Sequence, residues 1–163
     1  MTYIDNQQYI QEANFLLDKV VDGDSLSVIG IHTGEKREIR LYGIDVPETR
    51  KGRKLRADEE KTRVAGQFLQ QLGNQAREFV RALCPIGTSL TLYSEPGNEL
   101  DYYGRHLAYV ILPDGACLND ILIREGYAKA TGNYYCNALP QYQLENWKAR
   151  RKKRGLYKIA NHF

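Results

Sequence analysis

Three acids and two arginines in this chain have the types and spacing that chemistry on a phosphate would demand. Asp24 closes an Asp22-Gly23-Asp24 turn, Asp45 and Glu48 stand three residues apart, Arg40 precedes them, and Arg105 follows far along the chain. Two aspartates at separate strand ends can pinch one hard cation, with the Val46 carbonyl and several waters completing the oxygen shell. Only two direct carboxylates would leave such a site open, with positions for a phosphate oxygen and a water. Glu48 can accept a proton from that water or orient it. Arg40 and Arg105 can each fork two donors onto phosphate oxygens, a match that lysine cannot copy, where negative charge builds up between entering and leaving oxygens. Singly, each residue has a plainer reading: Asp-Gly pairs are common in hairpin turns, and a lone arginine or acid is an ordinary surface ion pair. Their company is what argues for a site.

These side chains need elements to carry them. Residues 15–28 read as a strand, an acidic turn at 22–24 and a second strand in which Leu26 and Val28 alternate with Ser25 and Ser27. Residues 37–44 alternate again, with Ile39 and Leu41 on one face and Arg40 and Tyr42 on the other, which puts Arg40 on a strand. That strand ends at Asp45-Val46-Pro47-Glu48-Thr49, where proline removes a donor and holds Val46 extended. Residues 50–56 are basic and aperiodic, which predicts a mobile loop. Residues 57–83 carry apolar side chains three or four apart, predicting one long helix or two broken near Gly73. Strands are expected over 88–94 and 106–112, a short helix over 118–124, and a final helix over 139–154 that docks by a narrow stripe of Leu144 and Trp147. Leading strands with inserted and appended helices point to an α+β fold around a small closed or partly closed barrel.

The 163 residues are enough for one domain with a sizeable core, expected to occupy about 15–157. Hydrophobic residues at 42% and charged residues at 26% argue against a disordered chain, and no apolar run approaches a membrane span. The net charge of +3 is modest, yet residues 50–61 hold six basic side chains and residues 148–154 hold six of seven, two patches that suit a polyanionic partner or simply a solvated face. Cys84, Cys117 and Cys136 are odd in number and far apart, fitting structural or free thiols rather than a disulfide framework or zinc ligands. His32, His106 and His162 are isolated and read as structural or surface residues. The start Met1-Thr2-Tyr3-Ile4-Asp5-Asn6 lacks the pattern of a secretory signal, favouring the cytoplasm over export.

Val20-Val21-Asp22-Gly23-Asp24-Ser25, the stretch Arg40-Leu41-Tyr42-Gly43-Ile44-Asp45-Val46-Pro47-Glu48-Thr49, and Asp101-Tyr102-Tyr103-Gly104-Arg105 resemble, in order and rough spacing, the three signature blocks of the thermonuclease (staphylococcal nuclease) family. The resemblance runs from about Lys19 to Tyr157 and includes the Gly155-Leu156-Tyr157 close. It implies a five-stranded oligonucleotide-binding (OB) barrel with three helices, dependence on Ca2+, and endo- and exonucleolytic cleavage of DNA and RNA to 3′-phosphates, with single strands preferred, by a monomer with no membrane partner. By motif position Arg40, Glu48 and Arg105 would be catalytic, Asp24, Asp45 and the Val46 carbonyl would hold the metal, Asp22 would sit behind them, and Tyr103 would contact substrate. Val46 replaces a threonine of the best-known member, harmless if only the carbonyl binds, and Tyr102 replaces a lysine that holds a terminal phosphate. Thr131 and Asn133 fall where nucleotide-contacting tyrosines are expected, with Tyr134 and Tyr135 close by. The segment 51–72 is longer than in that member and is read as a basic flap over the substrate channel rather than a solvated insertion. The competing reading is a non-catalytic nucleic-acid-binding or protein-interaction module of the same fold; such copies lose the acids and arginines, all present here.

Overall fold

The computed structural model describes residues 8–163; the N-terminal stretch read above for a secretory signal lies outside them. Five strands close into a barrel in the order β1-β2-β3-β6-β5: β1 (Ile10–Asp22), β2 (Ser25–Gly30), β3 (Lys36–Leu41), β5 (Ser89–Ser94) and β6 (His106–Ile111). All neighbours are antiparallel except β3 and β6, which run parallel with Arg40 opposite Leu107. β1 pairs with β2 through its C-terminal half and with β5 through its N-terminal half, turning between them at bulges around the left-handed Asn14. A two-residue strand β4 (Ile44–Asp45) pairs with β7 (Lys129–Ala130) outside the barrel. The class is therefore the expected α+β barrel of OB type, with four helices rather than three: α1 (Arg53–Thr62), α2 (Gly66–Leu83), α3 (Leu118–Arg124) and α4 (Leu139–Arg151).

The alternation anticipated in β2 is real, since Leu26 and Val28 are buried in the barrel. At the C-terminal end of β3 both faces are buried, with Ile39 and Leu41 inside the barrel and Arg40 and the following Tyr42 shut in as well. Tyr42 is capped by its hydroxyl's bonds to Asn98 O and Glu95 N. α2 buries Leu69, Leu72, Ala76 and Val80, the predicted helical stripe.

Three expectations need correcting. Residues 50–56 are not simply a loop: α1 begins at Arg53, because Leu55 finds a buried place against the core. The helical stretch breaks not at Gly73 but at residues 63–65, where Arg63 takes a left-handed conformation and the Glu59 carboxylate accepts from Gly66 N. α4 docks by Leu139, Tyr142 and Ala149, while Leu144 and Trp147 point outward. Its helix stops at Arg151, short of Gly155, whose positive φ serves a close approach to the Glu125 carbonyl. The three cysteines are free and buried, and burial raises each thiol, Cys136 to about 11, so they act as small core residues. His162 is tied in by a 2.8 Å contact to the Thr62 carbonyl. Among the described residues no helix is long and apolar enough to cross a membrane.

Gly73 has a different task from breaking a helix. A Cβ there would fall inside contact distance of the Pro47 carbonyl oxygen, so glycine lets α2 press against the segment that carries Glu48. Gly73→Ala is expected to lose about 1–3 kcal/mol by overpacking, outweighing the roughly 1 kcal/mol an alanine usually adds inside a helix. Urea denaturation measures the sign; an alanine variant more stable than the parent would refute the close-approach account.

Candidate active site

The end of β3 and the turn after it assemble the site. Gly43 adopts a positive φ of 67°, and a Cβ there would collide with Cys136 Sγ and the Tyr142 ring, so the chain can reverse tightly and bring Asp45 back toward Arg40. Asp24 arrives from the β1–β2 turn, where Ser25 pairs with Arg40 in register. Arg40 Nη2 then lies 3.1 Å from Asp24 Oδ2 and 3.1 Å from Asp45 Oδ1. Its Nη1 donates to the backbone carbonyls of Leu41 and Ile44 at 3.0 and 2.9 Å, with Asp24 O at 3.4 Å. Only 2% of Arg40 is exposed. The guanidinium is thus a buried tie between two strand ends before it is a clamp for anything else.

The two carboxylates feel this differently. Burial alone would raise Asp24, but Arg40 and Lys54 outweigh it and hold the carboxyl below its usual range, helped by Val46 N and Ser25 Oγ, each at 3.0 Å. Asp45 is raised, first by burial and then by the negative charge of Asp24. Lys54, on α1, places its ammonium 3.2 Å from Asp45 Oδ1 and 3.9 Å from Glu48 Oε2. Lys54 loses by burial but gains more from Asp45 and Asp24, so it is held firmly charged.

Glu48 stands beyond Asp45 with its Oε1 accepting from the Thr49 and Arg50 backbone N–H groups at 2.9 and 3.1 Å. Behind it, Asp22 accepts from Thr49 Oγ1 at 2.7 Å, which fixes the acidic turn to the Glu48 segment. Arg105 is aimed from the other side: Asp101 Oδ2 accepts from its Nε at 2.7 Å and Tyr134 Oη from its Nη2 at 3.2 Å. Glu48, Arg105, Asp22, Arg50 and Lys54 line one cavity of about 380 Å³. A second, about 560 Å³, opens on the far side of Lys54, between Asp45 and a set of tyrosines with Lys61 and Lys129. Tyr102 and Tyr103 stand edge to face at its rim, 5.5 Å apart and largely exposed, with Tyr135 exposed opposite.

All five charged residues singled out in the sequence therefore gather in one place. Asp24, Arg40 and Asp45 are in direct contact, and Lys54 links Asp45 to Glu48, which shares a cavity with Arg105. Val46 is placed differently from the expectation that its replacement is harmless: it is 2% exposed and its Cγ1 lies against Gly23, so its shape counts in the core. Two contributors went unassigned in the sequence. Lys54 was hidden among the basic residues of 50–61, and Tyr134, whose ring centroid lies 3.8 Å from the Arg40 guanidinium carbon, sits in a short turn with no periodicity.

Oxygen donors at Asp24 and Asp45, converging on one cationic nitrogen, fit a hard divalent ion. Among the described residues no group of three or more His, Cys, Asp or Glu is placed to hold a metal ion, so Asp24 and Asp45 would be the only carboxylates to do so here. Any ion here would keep open positions.

A closed OB barrel with two aspartates brought together from separate strand ends and arginines beside them defines the class of protein. The comparisons with known proteins agree: the model described as "Staphylococcal nuclease homologue" matches residues 38–159, and the chain belongs to that family. It is 30% identical to Endonuclease YncB of Bacillus subtilis (strain 168) over 91% of this chain and 64% of that protein. It is 29% identical to the SPbeta prophage-derived endonuclease YokF of the same organism over 86% of this chain and 43% of that one. An uncharacterized endonuclease of Escherichia coli O157:H7 is 29% identical over 88% of this chain and 76% of its own length. The chain thus spans less than two thirds of the first two relatives.

Replacing Arg40 with methionine isolates the buried tie. Two carboxylates would be left facing each other without their shared cation, an expected loss of about 3–5 kcal/mol near neutral pH in the presence of chelator. The depressed Asp24 contributes stability above the ordinary carboxyl range and loses it as pH falls, whereas the raised Asp45 opposes stability until it is protonated. Without Arg40 the first contribution disappears and the second worsens, so the deficit of Arg40→Met should shrink below about pH 4. Denaturant titrations at several pH values measure it; a deficit independent of pH would mean the tie is not electrostatic.

Proposed function

We propose that this chain is a nuclease that hydrolyses phosphodiester bonds of DNA and RNA, using Ca2+ and leaving 3′-phosphates, with unpaired strands preferred. The observation that carries the reading is the contact of Asp24, Asp45 and Arg40 with one another beside Lys54, which lines the same cavity as Glu48 and Arg105. Membership of the staphylococcal nuclease family and the endonuclease names of its relatives support it.

Asp24, Asp45 and the Val46 carbonyl would hold the ion, which when bound supplies positive charge against the phosphate oxygens and makes a neighbouring water more acidic. The attacking water gives its proton to the Glu48 carboxylate as the new P–O bond forms. Arg105 then faces the negative charge that accumulates on the phosphoryl oxygens, while Arg40 keeps the acids and its own positive charge beneath them. The bond from phosphorus to the 5′-oxygen breaks, that oxygen takes up a proton, and the phosphate stays on the 3′ side. Support for unpaired strands comes from the exposed Tyr102, Tyr103 and Tyr135: stacking on them requires bases free of a duplex, and each stacked base adds about 1–3 kcal/mol whatever its identity.

Purified protein with calcium is expected to cut circular single-stranded DNA and RNA, and EGTA to stop it; activity persisting in excess EGTA would remove the metal from the reading. Arg40→Lys should lower kcat by about 10²–10³, the usual cost of one electrostatic donor, and should also lose stability because lysine cannot reach the three backbone carbonyls. Lys54→Gln should bind calcium about two- to fivefold more tightly by calorimetry, since an ammonium no longer competes for Asp45. Unchanged or weaker binding would show that Lys54 is not in competition with the ion.

A further inference from the structure

Arg40 lies on β3 and Arg105 in the loop just before β6, and they carry like charge, yet one side chain touches both. The Arg40 guanidinium carbon lies 3.8 Å from the centroid of the Tyr134 ring, and the Arg105 guanidinium carbon lies 5.9 Å from the same centroid with Nη2 on the phenol oxygen at 3.2 Å. The negative face of an aromatic ring attracts a cation, and the phenol oxygen offers an acceptor to the second. Tyr134 can therefore hold two mutually repelling guanidinium groups within reach of one phosphate.

The ring is itself firmly mounted. The Tyr134 carbonyl accepts from Gly43 N at 2.7 Å, and Thr131 N donates to Gly43 O at 2.9 Å, so its turn is bonded to the reversal between Arg40 and Asp45. Asn98 Nδ2 donates to the Tyr135 carbonyl at 2.9 Å, and the buried Glu95 accepts from Asn137 N and from Tyr109 Oη, both at 2.7 Å. Cys136 is fully buried in the same turn. The Tyr135 side chain, by contrast, is 60% exposed.

We propose that Tyr134 is a positioning residue for both arginines rather than a contact for a nucleotide base. Its ring face holds Arg40 and its hydroxyl orients Arg105. The inference rests on the nuclease reading for its effect on turnover, but its geometric part stands apart from it. Tyr134→Phe keeps the ring and loses the acceptor; Tyr134→Leu loses both.

The test uses the full chain, a single-stranded oligonucleotide, and the same oligonucleotide with abasic sites flanking the scissile phosphate. Tyr134→Phe should lower kcat ~10-fold and Tyr134→Leu ~10²-fold, equally on both substrates and with little change in KM. In ¹⁵N-resolved spectra of the arginine side chains, Arg105 should shift in both variants and Arg40 only in Tyr134→Leu. A loss confined to the base-bearing substrate and expressed in KM would make Tyr134 a base contact and overturn the proposal. So would arginine resonances unmoved by Tyr134→Leu. Should the wild type cleave neither substrate, the nuclease reading fails, and the arginine spectra alone decide on the positioning; if Tyr134→Leu does not fold, Tyr134→Phe carries the same decision through Arg105.

Discussion

Arg40 holds a full positive charge almost out of reach of water, and a charge so placed is tolerated only where charged and polar partners surround it. Three backbone carbonyls and two carboxylates supply that surrounding, drawn from the β1–β2 turn, from β3 itself and from the reversal that follows. The dependence is mutual. Asp24 and Asp45 could not stand so close in a buried setting without a cation between them, as the raised carboxyl of Asp45 indicates even with Arg40 present. The bonds that satisfy the guanidinium also bring the acids together.

Around this tie the fold adds a second layer that aims rather than anchors. α2 reaches the Glu48 segment because Gly73 allows its backbone against Pro47. Gln70 donates to the Thr49 carbonyl at 3.1 Å from the same helix, and Asp22 holds the Thr49 hydroxyl. Glu48 is thereby fixed from both sides while its second oxygen faces Lys54. The segment longer than in the best-known family member contributes α1, whose one buried apolar residue, Leu55, docks it on the core while Lys54 lines both cavities. Lys54 brings α1 beside Glu48, and this stretch is built as a helix and not as a loop.

Several features could be read from residue order because they depend on neighbours along the chain. Alternation in β2 and the stripe of Leu69, Leu72, Ala76 and Val80 are local patterns with one packed solution each, whereas the strand expected to run to Ile44 stops at Leu41, where the chain turns back at Gly43. The acids and arginines stand out in residue order likewise, since they fall in three short blocks. The helix break at 63–65 and the docking face of α4 were not legible: the first is set by a left-handed Arg63 and the Glu59 carboxylate, the second by which side chains the core accepts. Leu144 and Trp147 have the apolar character of a buried stripe, yet Tyr142 and Ala149 occupy the interface.

The sequence by itself determined the alternation of the barrel strands, the buried stripe of α2, the barrel class and the identity of the charged residues, because periodicity and side-chain chemistry are properties of short segments. Only the tertiary structure decided that Arg40 is buried, that Lys54 sits between Asp45 and Glu48, and that Tyr134 touches both arginines. Those facts depend on distances between residues remote in the chain, which are set by barrel closure and by how helices and turns stack on it, and no local pattern encodes them.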